Sequence, residues 1–199
     1  ARPPESLTPP CRILYVATFV DASQRQADWS NLARYCADRK IAPPAETANH
    51  FAANFPGFRL KWEGHTEFSR YTIIEPAGDR PLFAPLANID DVQSLFSGLV
   101  GSTLVAIQAE IRAADAVPGS IEAISQQLFN GQTLIGSSIS GGAAKGLTDF
   151  RIGADGLSRM LILDEGLQPR QAGRLLQRLL EIDTYRIMAL LTLPLATKL

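Results

Sequence analysis

The segment CRILYVATFV at residues 11–20 is apolar along almost its whole length and rich in β-branched and aromatic side chains. A strand that is apolar on both faces belongs inside a sheet, with neighbours at each edge. Whatever else the chain does, it must build layers around this segment.

The rest of the chain supplies candidates for those layers. Ser23 followed by Gln26 has the form of a capping box, and Trp29, Leu32, Ala33 and Cys36 follow at helical spacing, so the pattern predicts a helix over about residues 23–39. Pro43 and Pro44 end it. Strand patterns then follow in ANHFAANF, FRLKWE and TEFSRYTIIE, with Pro56-Gly57 and Gly64 as breaks. After a loop with Pro76, Gly78, Pro81 and Pro85, Asn88 is placed to cap a short helix whose apolar face is Ile89, Val92, Leu95, Phe96 and Leu99. TLVAIQAEIRA alternates as a strand, with Val105, Ile107, Ala109 and Ile111 on one face and Gln108, Glu110 and Arg112 on the other. Ser120 caps a further helix, and three strand-like segments, TLIGSSIS, LTDFRI and SRMLILDE, come after it.

Both halves thus read β-α-β-β-β, as pseudo-repeats over residues 11–76 and 102–165. Phe58-Arg59-Leu60 can be laid on Phe150-Arg151-Ile152, and Phe68-Ser69-Arg70 on Leu157-Ser158-Arg159. The expected fold is α+β, a mixed or antiparallel sheet with an internal duplication of the β-α-β-β-β unit, formed as a single domain over residues 1–199.

A long C-terminal helix closes the pattern, over residues 168–193. Ala172, Leu175, Leu176, Leu179, Ile182 and Leu190 form its apolar stripe. Arg178 with Glu181, and Asp183 with Arg186, are spaced to pair on the polar side, and Arg170, Arg174 and Arg178 make a basic row. Pro169 suits a first helical position, and Pro194 should stop the helix. The stripe either docks on its own domain or continues into a larger assembly.

Composition narrows the function classes. A formal net charge of −1 gives no general attraction to nucleic acid or anionic lipid, so no nucleic-acid partner is expected. Cys11 and Cys36 have no metal-binding spacing, and no charged segment followed by an apolar core resembles a secretory signal. The longest apolar run, near residues 187–196, is shorter than the roughly 20 residues that a spanning helix needs.

Residues for chemistry are few. In KWEGHTE, alternation would put Glu63, His65 and Glu67 on one face, where a carboxylate beside an imidazole could tune a general base or a metal ligand. These three are the candidate catalytic residues, but Gly64 reads as opening a turn that breaks the alternation, so a hairpin tip held by local polar contacts is the preferred reading. GSSISGGAAKG, residues 136–146, is glycine-rich, but Lys145 precedes Gly146 and the order of a phosphate loop is missing. Ser137, Ser138 and Ser140 have no histidine near them in sequence. No cofactor is specified.

At KWEGHTEFSRYT, at GSSISGGAAKGLTDFRIGADGLSRMLILD and at GRLLQRLLEIDTYRIMALLTLP the chain resembles a bacterial family described as domain of unknown function 3422, with uncharacterised or predicted membrane-anchored members. The ARPPESL opening fits the same order of motifs. Members typically carry arginine where this chain has Gly64. The resemblance implies an N-terminal soluble domain on the cytoplasmic face of the inner membrane, anchored through a C-terminal region that this chain does not contain. It brings no activity, cofactor or catalytic residue. The functional expectation is therefore a non-enzymatic interaction or sensing domain, a homo-oligomer through its C-terminal helix. The alternatives are a metal-assisted or general-base hydrolase using Glu63, His65 and Glu67, or a small-ligand-binding regulatory module.

Overall fold

In the computed structural model, strand β1 (Cys11–Phe19) is buried at every residue but Phe19 and pairs on both edges. The structure describes residues 5–196, with side chains through residue 191; Pro3 and Pro4 of the proline-rich lead-in lie outside them. Around β1 the chain runs α1 (Arg25–Asp38), β2 (His50–Phe55), β3 (Phe58–Gly64), β4 (Phe68–Pro76), α2 (Ile89–Phe96), β5 (Ser102–Ala113), α3 (Ile121–Leu128), β6 (Ile135–Ile139), β7 (Ala144–Ile152), β8 (Ser158–Asp164) and α4 (Pro169–Ala196). All eight strands join one mixed sheet in the order β2-β3-β4-β1-β5-β8-β7-β6.

That order is palindromic about the β1–β5 pair, each half contributing its strands in the same sequence outward from the centre. Strand polarity does not follow suit. β1 pairs β4 antiparallel, whereas β5 pairs β8 parallel, so one rotation does not superpose the halves strand for strand. The matched tripeptides diverge too, because Phe58 opens β3 while Ile152 closes β7.

Two layers cover the sheet. Ile13, Tyr15, Ile107, Ile111 and Ile162 point to one face, where Leu175, Leu176 and Leu180 of α4 close over them. Ile13, Ile107 and Ile111 are fully buried, each worth about 1.5–3 kcal/mol. On the opposite face α1 and α2 pack over Leu14, Leu60, Trp62, Tyr71 and Ile73, and α3 packs over Leu147, Leu161 and Leu163. Gly173 allows the N-terminal segment to cross the start of α4, since a Cβ there would sit 1.8 Å from the Glu5 carbonyl oxygen.

Several local expectations are corrected. Ser23 and Gln26 do not form the box; Asp21 Oδ1 instead accepts from the Ser23 and Gln24 amides, and α1 starts at Arg25. Its buried side is Asp28, Asn31, Leu32, Tyr35 and Cys36, shifted from the expected stripe. Asn88 holds the cap position of α2, but its amide donates to the Pro56 carbonyl. Ser120 does cap α3, accepting from the Ala123 amide. On α4 the pair Asp183–Arg186 forms at 2.9 Å, while Glu181 turns to Arg70 on β4 and leaves Arg178 exposed. Helical residues continue past Pro194 to Ala196; a proline two residues from the end disturbs only the turn before it.

Candidate functional site

The β3–β4 hairpin carries all three residues singled out for chemistry. Along β3, Phe58, Leu60 and Trp62 face α1 and α2, which turns the alternate residues, Glu63 included, toward α4. The alternation stops at Gly64. Residues 65–67 form the turn, closed by the His65 amide donating to the Phe68 carbonyl at 2.8 Å. The His65 ring stacks on Phe68 with centroids 4.3 Å apart. Glu67 is exposed, and its carbonyl accepts from the Val20 amide. Of the three, only Glu63 is buried in full, at 1% exposure.

Glu63 is one end of a charged chain that ties the sheet to α4. Arg70 Nε donates to its carboxylate at 2.6 Å and Lys61 Nζ lies 3.3 Å away. Arg70 Nη1 reaches across to Glu181 Oε1 at 2.8 Å, where Gln177 also donates. Burial works to lower the Arg70 pKa, yet the hydrogen bonds and charges of Glu63 and Glu181 hold it above its ordinary value. Burial likewise works to raise Glu181, and Gln177 and Arg70 pull it below the usual carboxylate range. Beside this chain Tyr15 Oη meets Thr184 Oγ1 at 2.7 Å. The cavity among Tyr15, Glu63, Arg70, Gln177 and Leu180 has a volume of about 30 Å³, room for roughly one water molecule. Such an arrangement holds α4 against the sheet.

A second charged network, on the opposite face, was not anticipated from the sequence. Arg12, the second residue of β1, is fully buried and donates to Glu110 at 2.6 Å. Arg112 Nε donates to the other Glu110 oxygen, and Arg80 to Glu75. The remaining valences of these groups hold the proline-rich loop between β4 and α2. Arg12 donates to the Pro81 and Pro85 carbonyls, Arg112 to those of Gly78 and Arg80, and Gln108 to that of Ala84. Glu110 and Glu75 in turn accept the Phe83 and Ala87 amides. The visible signal was the polar alternation Gln108, Glu110, Arg112 on a strand whose other face is core.

The remaining motifs carry little chemistry. Residues 136–146 form the β6–β7 hairpin, with Ser137 and Ser138 exposed on the edge strand. Cys11 and Cys36 are buried, and burial raises their thiols to about 12 and about 11, far from the thiolate that reactivity requires. Among the described residues no group of three or more His, Cys, Asp and Glu side chains is placed to hold a metal.

One surface stands apart by its exposed apolar side chains. The α4 stripe is buried at Ala172, Leu175 and Leu176, but Ile182, Leu190 and Leu191 are 63%, 53% and 60% exposed, because Leu180, Asp183 and Thr184 take the inward positions. Ile182 joins Ile135 and Phe150 around a shallow apolar groove between α4 and the β6–β7 hairpin. Arg170, Arg174 and Arg178 run along the helix, exposed. Among the described residues no helix is long and apolar enough to cross a membrane.

A family model described as "Protein of unknown function (DUF3422)" matches residues 1–199. No curated protein and no solved structure matches the chain.

Proposed function

For a chain that belongs to the DUF3422 family, we propose a non-enzymatic role as an interaction or sensing domain that works through self-association of α4 and the adjoining β6–β7 edge. The observation that carries this reading is the split character of α4. Its inner side is pinned to the sheet through Arg70–Glu181 and Tyr15–Thr184, while Ile182, Tyr185, Leu190 and Leu191 remain in solvent. A helix fixed on one side and exposing apolar side chains from Ile182 onward is suited to pass a change in assembly into the sheet. The edge strand β6, IGSSI, has no charge or proline to discourage pairing, and the apolar groove beside it extends the same surface. In the longer protein that the family resemblance implies, this domain would sit on the cytoplasmic face of the inner membrane, held by a C-terminal region outside this chain.

Deleting α4 would remove part of the core, so single exposed positions make the better test. Ile182→Lys combined with Leu190→Lys should convert a dimer or larger species into a folded monomer, read by light scattering across protein concentration with circular dichroism as the control. A parent chain that stays monomeric up to the highest soluble concentration would remove this reading.

A further inference from the structure

On the side of the β3–β4 hairpin away from α4, a cleft of about 250 Å³ lies between the start of α1, residues 46–49 and the tip of β3. It shares Arg25, Asn49 and Gly64 with a more open recess that His65 and Thr66 border. The chain has two tryptophans, Trp29 and Trp62, and both line this cleft. Their indole N–H groups are already committed, Trp29 to the Pro44 carbonyl at 3.2 Å and Trp62 to Asp28 Oδ2 at 3.0 Å. What they offer a ligand is therefore ring carbon. Trp62 is 4% exposed, and its ring edge reaches the cleft beside Gly64, where a Cβ would sit 3.3 and 3.5 Å from Cζ2 and Cη2.

The polar floor of the cleft is only partly satisfied. Asp28, 1% exposed, accepts one hydrogen bond at each oxygen, from Trp62 and from Tyr71 at 2.7 Å, and a carboxylate oxygen has a second lone pair. Ser69 lines the cleft at 2% exposure. At the rim, Asn49 and Gln26 supply amide groups that both donate and accept. The lining holds one guanidinium, Arg25, against two carboxylates, Asp28 and Glu46; Arg25 is also spent on the Thr66 carbonyl.

We infer that this cleft binds a small, uncharged, polyhydroxylated ring, the chemistry of a monosaccharide or the terminal unit of a glycan. Such a ring has C–H faces that pack on aromatic carbon and a periphery of hydroxyls that both donate and accept. Ser69, Asp28 and Asn49 match that periphery, and Trp29 and Trp62 match the faces. The carboxylate excess on the lining disfavours an anion. This site is separate from the α4 surface and does not depend on self-association.

Because both tryptophans line the cleft, tryptophan emission excited selectively over the four tyrosines reports on this site. The folded chain would be titrated with glucose, galactose, mannose and N-acetylglucosamine, alongside glucose 6-phosphate and glucosamine as charged counterparts. A saturable change in emission is expected with at least one neutral sugar below roughly 10 mM, the range of a millimolar dissociation constant. Gly64→Leu places a side chain against the Trp62 ring at a position without left-handed backbone, and Asn49→Ala removes an exposed rim group. Each should weaken binding about tenfold or more with an unchanged thermal melt. If Gly64→Leu melts early, Asn49→Ala carries the comparison. A response to no neutral sugar, a response to glucose 6-phosphate alone, or binding undiminished in the folded variants would each overturn the assignment.

Discussion

Tyr15 Oη and Thr184 Oγ1 meet at 2.7 Å in a buried contact that joins the first strand to the last helix across 169 positions of sequence. Thr184 also bonds the Leu180 carbonyl, so the contact is braced from within the helix. Replacing Thr184 by Val keeps the shape and leaves the Tyr15 hydroxyl without this partner. Urea denaturation should show a loss of about 1–3 kcal/mol. Adding Tyr15→Phe to that variant should cost less than the two single changes summed, since no orphaned hydroxyl then remains.

Arg70 answers Glu63 on one side and Glu181 on the other. Arg70→Met should lower stability by about 3 kcal/mol, the lower end of the range for stranding a buried charge, because Lys61 stays 3.3 Å from Glu63. Glu63→Gln in the Arg70→Met background should recover part of that loss. A double variant no more stable than the single one would show that Glu63 is not the stranded group.

Acid sensitivity separates two neighbours on α4. Glu181 has its folded pKa below the ordinary 4.5, so the unfolded chain takes up the proton first as pH falls. Its stabilisation is present above about pH 4.5 and is lost as pH drops through the folded value. Asp183 has the opposite sign, since burial raises it above the ordinary 3.8 against the pull of Arg186. Its native state binds the proton more tightly, so its contribution is full below pH 3.8 and is lost as pH rises through the folded value. Thermal melts should show Asp183→Asn raising the midpoint at pH 7, and Glu181→Gln lowering it at pH 7 while flattening the decline between pH 5 and 3.

The Arg12 network predicts a local effect distinct from global unfolding. The amides of Phe83 and Ala87 are held by Glu110 and Glu75, and the fully buried Arg12, near the start of β1, orients Glu110. Arg12→Met should cost about 3–5 kcal/mol. Hydrogen exchange at Phe83 and Ala87 should rise more than at the paired β1 and β5 amides; uniform acceleration would mean that the loop has no separate anchoring.

Much of the architecture was legible because it follows from local periodicity. Residues 11–20 required a central strand, Val105 to Ile111 declared a core face, and Ser120 capped a helix, each from patterns a few residues long. The candidate site was legible only as a stretch. Gly64 marked the break after β3, and once the turn begins at His65 the period of two that would join Glu63, His65 and Glu67 no longer applies. Arg12 illustrates the other limit, since nothing local distinguishes an arginine that will be buried between two carboxylates from one at a strand edge.

The amino-acid sequence determined the order and kind of the elements, the two-faced burial of β1 and the amphipathic helix at the end. Tertiary structure decided what depends on distant partners. It joined the halves through an antiparallel β1–β5 pair, set β8 parallel to β5, and turned Glu181 from its own helix to Arg70. It also brought Trp29 and Trp62 to one cleft. Periodicity acts over a few residues, whereas partner choice among buried charges and rings is fixed only when segments far apart in the chain compete for the same enclosed space.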